Sequence, residues 1–245
     1  MKTARQYVDL VRLEFLMNRP YIWMGMMIQL VMTVGLIWGF GFFIPSITEM
    51  QALYLTSGAA TQAVVTMALI MLPQKLAQEK AEGTFHFFLT LPVSREMYLA
   101  AQLTVVAIMA VPGIVLAVAL GAWHYGIPIE PGAAVLLVVP LAVLSLAGVG
   151  VAISVLSPWP QVTNALTQLA IFYVLLFAPI MFPKEQLPGL LQDISIVMPP
   201  SYAADAMRAT LTNLPGTELG KSLAVMAGFA VVSIVASAIT VRRRG

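Results

Sequence analysis

The chain has 245 residues, of which 60% are hydrophobic and only 10% charged, with a formal net charge of +2 and a mean hydropathy of +0.89. A soluble domain carries about 25% charged residues, so these values exclude an ordinary soluble enzyme and point to an integral membrane protein. With no cysteine the redox compartment is not legible, and so small a positive charge gives no reason to expect a nucleic-acid partner.

Thr3 to Asn18 places Ala4, Val8, Val11 and Phe15 on one side of a helix and Arg5, Asp9 and Arg12 on another. That pattern predicts an interfacial helix on the inner leaflet over residues 1–20, ended by Pro20. The charged first stretch and the long apolar run after it do not match a cleavable signal, so that run is expected to be retained. Six runs long enough to cross a ~30 Å hydrocarbon layer then follow: Tyr21–Phe43, Ala52–Leu72, Met97–Trp123, Ala133–Leu156, Val162–Phe182 and Ser222–Val241. They are continuously apolar rather than alternating, which predicts helices and not barrel strands. The expected fold is an all-α transmembrane domain of six helices over residues 1–245.

Orientation follows from the cations. With the N-terminus inside, the inner segments hold Lys2, Arg5, Arg12, Arg19, Lys75, Lys80, Arg95, Arg242, Arg243 and Arg244, which is 10 of the 13 Lys and Arg residues. The positive-inside rule selects this arrangement, with both termini inside.

The first five runs contain no Asp, Glu, Lys or Arg, which argues against coupling to protons through an intramembrane relay. Their polar groups are neutral. Gln29/Thr33 and Asn164/Gln168 are each spaced to share a helix face, Gln62 and Thr66 occur in the second run, and such groups are expected to face protein or a pathway rather than lipid. Gly35 and Gly39 form a small-xxx-small pair, suited to close packing within one subunit or between two. Gly216 to Ser222 imitates a phosphate loop but has three residues between its glycines where four are required. His86 and His124 fall on opposite sides of the bilayer, and neither H-E-x-x-H nor G-x-S-x-G occurs, so no catalytic site is expected in this chain. The 15 methionines read as adaptable packing rather than a thioether metal path, and no metal site is expected.

Pro73 to Glu96 is the one sizeable inner segment between runs. It carries Lys75, Glu79, Lys80, Glu82, Arg95 and Glu96 around a Phe/Leu cluster that includes Phe85, too charged for lipid and too apolar for a solvated linker. A short helix is expected over Gln78–Leu89, weakened at Gly83, with Ser94 or Thr90 capping the next one. Aromatic anchors of this kind suit a protein partner.

The sequence E-K-A-E-G-T-F-H-F-F-L-T-L-P-V-S-R-E resembles the E-x-x-x-G-T … P-x-S-R pattern between the second and third spans of ABC type-2 permeases, the membrane subunits of drug, lipid and polysaccharide exporters. A second segment, Phe182-Pro183 through Leu187-Pro188 to Met198-Pro199-Pro200-Ser201-Tyr202 and Arg208, resembles that family's outer segment of two short re-entrant helices before the last span, here residues 183–218. The resemblance implies a coupling region at residues 73–96 that docks on a separate ATPase, with Glu79, Gly83, Thr84, Pro92, Ser94 and Arg95 as its residues, and Glu82 and the aromatic anchor Phe85 are expected to contribute from the same segment.

It implies two copies of that ATPase, which would bind ATP and magnesium, no cofactor in this chain, and a second copy of the chain itself. It also implies a substrate path near the first and fifth spans, lined by Gln29, Thr33, Asn164 and Gln168, and an outer gate at Pro183, Pro188, Pro200, Tyr202 and Arg208. An amphipathic or lipid-like cargo and the cytoplasmic membrane of a prokaryote fit this reading. His86 and Gln102 depart from the family pattern. The competing classes are a non-transporting membrane scaffold that recruits a cytoplasmic partner and, less favoured, a secondary transporter; the sequence names neither the cargo nor its direction.

Overall fold

The computed structural model describes residues 2–43, 47–84, 93–212, 214 and 217–244. Regular structure among them is helical, with no strand: α1 (Lys2–Met17), α2 (Arg19–Phe43), α3 (Glu49–Thr66), α4 (Leu72–Ala81), α5 (Arg95–Tyr125), α6 (Val135–Leu156), α7 (Pro160–Phe177), α8 (Gly189–Ile196), α9 (Pro199–Leu211) and α10 (Leu219–Arg244), with a 3₁₀ turn at Lys184–Gln186. Four stretches are long and apolar enough to cross a membrane: Glu49–Ala81, Glu96–Tyr125, Val135–Leu156 and Pro160–Phe177. The described apolar parts of the first and last predicted spans, Gly25–Phe40 and Leu219–Val235, are shorter, so four of the six expected spans meet that standard.

Three boundaries differ from expectation, each for a local reason. Pro20 does not end the N-terminal helix. Asn18 alone separates α1 from α2, and Pro20 falls in the first turn of α2, where a missing N–H removes no helical bond. The fifth span stops at Phe177 rather than Phe182, because Ala178 is extended (φ −95°, ψ 126°), the conformation forced on a residue that precedes proline.

The third difference matters most. The expected loop does not begin at Pro73, since α3 runs through one π turn at Met67–Met71 into α4. In that turn the N–H of Leu72 donates to Met67 O, five residues back. Pro73 has no N–H to give, and the widened turn passes the chain over it without a break. Opposite lies Gly150 of α6, where an added Cβ would sit 2.6 Å from Ala68 O and 3.2 Å from Pro73 Cδ. A glycine is needed there for the two backbones to meet.

The result is a 33-residue rod, Glu49 to Ala81, about 50 Å long at ~1.5 Å per residue. It begins at a capping box, in which the Thr48 hydroxyl accepts from Gln51 N–H and Gln51 Oε1 accepts from Thr48 N–H. It ends where Gly83 takes φ +77°, a left-handed stop that glycine adopts without a Cβ penalty.

The core gathers around this rod. α5 packs along α3, α6 packs broadly on α10, and α9 fills the space between α3, α6 and α10. Val64, Val65, Met67, Leu72, Leu146, Met207 and Met226 are fully buried among them. α2 and α7 lie at the periphery with large apolar side chains exposed, among them Trp23, Val31, Leu169 and Phe172. On α1 the expected apolar side chains Ala4, Val8 and Phe15 are exposed, and the protein-facing stripe is Tyr7, Leu10, Glu14 and Asn18.

The close approach at Gly150 gives a direct test. Gly150→Ala is expected to destabilise the protein by about 1–3 kcal/mol, the usual cost of forcing atoms into a packed interior. Gly35→Ala, at a position inside α2 where an added Cβ meets nothing within 4 Å, should not destabilise it, since alanine is favoured over glycine in a helix interior by about 0.5–1 kcal/mol. Thermal unfolding of the two variants in one detergent checks the difference.

Candidate functional site

The Ala81 end of the rod is a polar hub. Charges that end a membrane helix must be hydrated or paired, and those of α4 find partners on each neighbouring helix. Toward α1, Lys75 Nζ pairs with Glu14 Oε2. Toward α5, Glu79 Oε2 accepts from Tyr98 Oη at 2.7 Å and from Gln102 Nε2 at 3.0 Å, and Gln102 Nε2 also donates to Tyr98 Oη. Toward α6, Lys80 Nζ donates to Ser157 O at 3.1 Å and Val155 O at 3.4 Å, a cation on the carbonyls that end a helix. Toward α7, Gln74 Nε2 donates to Thr167 Oγ1 at 3.3 Å.

The cluster at Lys75 has one ammonium for two buried carboxylates. Lys75 Nζ lies 3.4 Å from Glu79 Oε1 as well as against Glu14, and Glu14 is 1% exposed and Glu79 8%. Asn18 Nδ2 donates to Glu14 Oε2 at 3.3 Å, while Glu14 Oε1 is buried with no hydrogen-bond partner among the described residues. Burial pushes the Glu14 carboxyl above the usual carboxylate range, outweighing the pull of Lys75 in the other direction.

The residues predicted for coupling therefore divide. Glu79 is buried and bonded inside the chain. Glu82 and Gly83 are exposed and Thr84 half-buried, forming the tip of the rod. Ser94 caps α5, its hydroxyl accepting from Met97 N–H at 3.1 Å, and Arg95 opens that helix. Phe85 and Pro92 lie outside the described residues, as does His86. Sequence reasoning missed Glu14, Lys75 and Tyr98 as a group. The available signal was a glutamate spaced with Tyr7, Leu10 and Asn18 on one helical stripe. Gln102, noted only as a departure from the family pattern, serves as a donor to Glu79.

The four pathway candidates are not brought together. Gln29 and Thr33 are buried on α2, with Gln29 Nε2 donating to Met109 O at 3.4 Å, and they share a narrow crevice with Gln62 and Thr66 of the rod. Asn164 and Gln168 are exposed on α7. A cavity of about 1150 Å³ is an apolar groove between α5 and α6 that none of the four lines.

A family profile described as ABC-2 family transporter protein matches residues 45–239. The chain belongs to this ABC-2 transporter family. It is thus a transport membrane component, of a family whose permeases normally pair with an ATPase subunit. No curated protein matches the sequence.

In this ABC-2 chain the segment between α7 and α10 forms two short helices, as expected, each begun by proline: Pro188 precedes α8, and Pro199 and Pro200 occupy the first turn of α9. Pro183 precedes the 3₁₀ turn. Tyr202 Oη donates to Ile196 O at 2.8 Å, fastening α9 to α8.

Arg208, 2% exposed, fixes α9 to the rod near its Glu49 end. Its Nη1 lies 2.7 Å from Asp205 Oδ1, its Nη2 donates to Ile180 O at 2.9 Å, and its guanidinium carbon stands 4.0 Å over the Tyr54 ring. Arg208→Met should leave Ile180 O and the Tyr54 face without their cation and destabilise the protein by roughly 2 kcal/mol or more. Arg208→Lys should recover only part of that loss, because an ammonium cannot reproduce the planar fork. Denaturation of both variants beside the parent measures it.

Proposed function

We propose that this chain is the permease half of an ATP-driven exporter, working as a homodimer with two copies of a separately encoded cytoplasmic ATPase. The observation that carries the reading is the rod. At about 50 Å it exceeds a ~30 Å hydrocarbon layer by some 20 Å, so its charged end, with Glu82 and Gly83 exposed at the tip, projects beyond the apolar layer on the side assigned to the cytoplasm. A tip joined by polar bonds to α1, α5, α6 and α7 is suited to pass a displacement to the whole bundle. ATP binding in the partner would bias two arrangements of that bundle through the 73–96 segment. α2 and α10 complete six spans in the cytoplasmic membrane of a prokaryote, with both termini on its cytoplasmic side.

The second copy would cover the open faces of α2 and α7. Gly35 and Gly39 meet nothing within 4 Å and remain available for close helix contact, and Asn164 and Gln168 are too polar to be left to lipid. On this arrangement Gln29, Thr33, Asn164 and Gln168 would approach a path between the two copies, one suited to an amphipathic or lipid-like substrate. The outer segment from Pro183 to Arg208 would then bound the far end of that path.

Two experiments test this. Glu82→Arg and Gly83→Arg, assayed in the reconstituted complex, should weaken ATPase binding and cut ATP-driven transport; unchanged binding and transport would reject the coupling role. Binding retained in a parent complex that moves no substrate would instead favour a scaffold. Gly35→Trp should lower the dimer fraction seen by light scattering in detergent, and an unaltered dimer would place the subunit contact elsewhere.

A further inference from the structure

α1 packs along α5 and meets the rod through charge. Glu14 reaches Lys75 of α4, Lys75 reaches Glu79, and Glu79 accepts from Tyr98 and Gln102 at the foot of α5. A separate bond closes the triangle, since the hydroxyls of Tyr7 on α1 and Thr104 on α5 lie 2.5 Å apart. We infer that Glu14, Lys75 and Glu79 form a latch that makes α1, α4 and the foot of α5 one rigid body, so that the N-terminal helix moves with the coupling tip. The functional part of this inference rests on the proposed role of the tip, while the rigid body itself does not.

The physical reason is the poor alternative open to these groups. Pulling α1 away would break the Lys75–Glu14 pair and the Tyr7–Thr104 bond and put Leu10, now 5% exposed, into water. α1 keeps Ala4, Val8 and Phe15 exposed on another side, a surface suited to sliding in the lipid interface. It can therefore travel over the membrane while staying fixed to the protein.

Proton linkage gives a readout that simple packing would not. The groups facing Glu14 are Asn18 on its own helix, Lys75 and Glu79 from α4, and Tyr98 from α5. Because burial raises the Glu14 affinity for a proton in the docked form, that form binds protons more readily than a detached, hydrated α1. Docking therefore strengthens as pH falls through the raised range and weakens as pH rises above it.

The chain has no cysteine, so Asp9→Cys and Gln78→Cys, both exposed positions, can carry spin labels in the full permease–ATPase complex. The expected result is one α1–α4 distance, unchanged between the ATP-free and vanadate-trapped states. Lys75→Met should broaden it, and Glu14→Gln should remove its pH dependence while keeping the narrow low-pH distance. Transport per ATP hydrolysed should fall at least roughly fivefold in Lys75→Met, the lower end of ordinary coupling between sites. A distance that shifts between nucleotide states, or pH dependence that survives Glu14→Gln, would overturn the latch. A wild-type complex that neither binds ATPase nor transports would sink the proposed function instead, with the distances still deciding whether α1 is latched.

Discussion

A 33-residue helix cannot be contained in a ~30 Å apolar layer, and much of the structure follows from what its surplus length must do. The excess carries Lys75, Glu79, Lys80 and Glu82, and each group either reaches water or needs a partner. Here α1, α5, α6 and α7 bring partners to the same two turns of helix. A segment that sequence reasoning treats as a loop between spans is thereby stiffened and tied to most of the bundle.

That stiffness depends on a local solution to a backbone problem. Proline within a helix normally kinks or breaks it, and Pro73 stands where the rod leaves the apolar region. One π turn ahead of it changes the bonding pattern, and Gly150 lets α6 come against the altered backbone. π turns concentrate at functional positions. This one separates the buried part of the rod from its charged tip, the place where rotation of one part relative to the other would have most effect at the tip.

Much of the fold was legible because apolar run length and helical period are strong local signals. Spans two to five and Ser94 as a cap followed from composition and turn chemistry, while the two short helices before the last run followed from the family resemblance. Boundaries were less legible, since whether Pro73 ends a helix depends on a π turn and on a glycine about 80 residues away, and neither is visible locally. The site was divided in the same way. The exposed tip at Glu82 and Gly83 could be found from a continuous motif, whereas the Glu14–Lys75–Glu79 cluster joins three helices and has no linear signature. On α1 the period was right but the assignment of faces was incomplete, because a helix at an interface has one side for lipid and another for protein, and Glu14 belongs to the second.

The buried charges show why these ends and not the middle would be held fixed. Among the described residues the buried charged side chains are Glu14, Glu79 and Arg208. Arg208 grips the rod at Tyr54, and the other two at Lys75, about 30 Å apart along its axis at ~1.5 Å per residue. Between them the rod presents neutral side chains, including Gln62, Thr66 and Met67. A buried charge left without its partner is costly, whereas thioethers adapt to altered packing at small cost. A body pinned by charge at both ends and neutral between them can repack its middle while its ends keep their partners, and a displacement applied at one end is then taken up by that repacking.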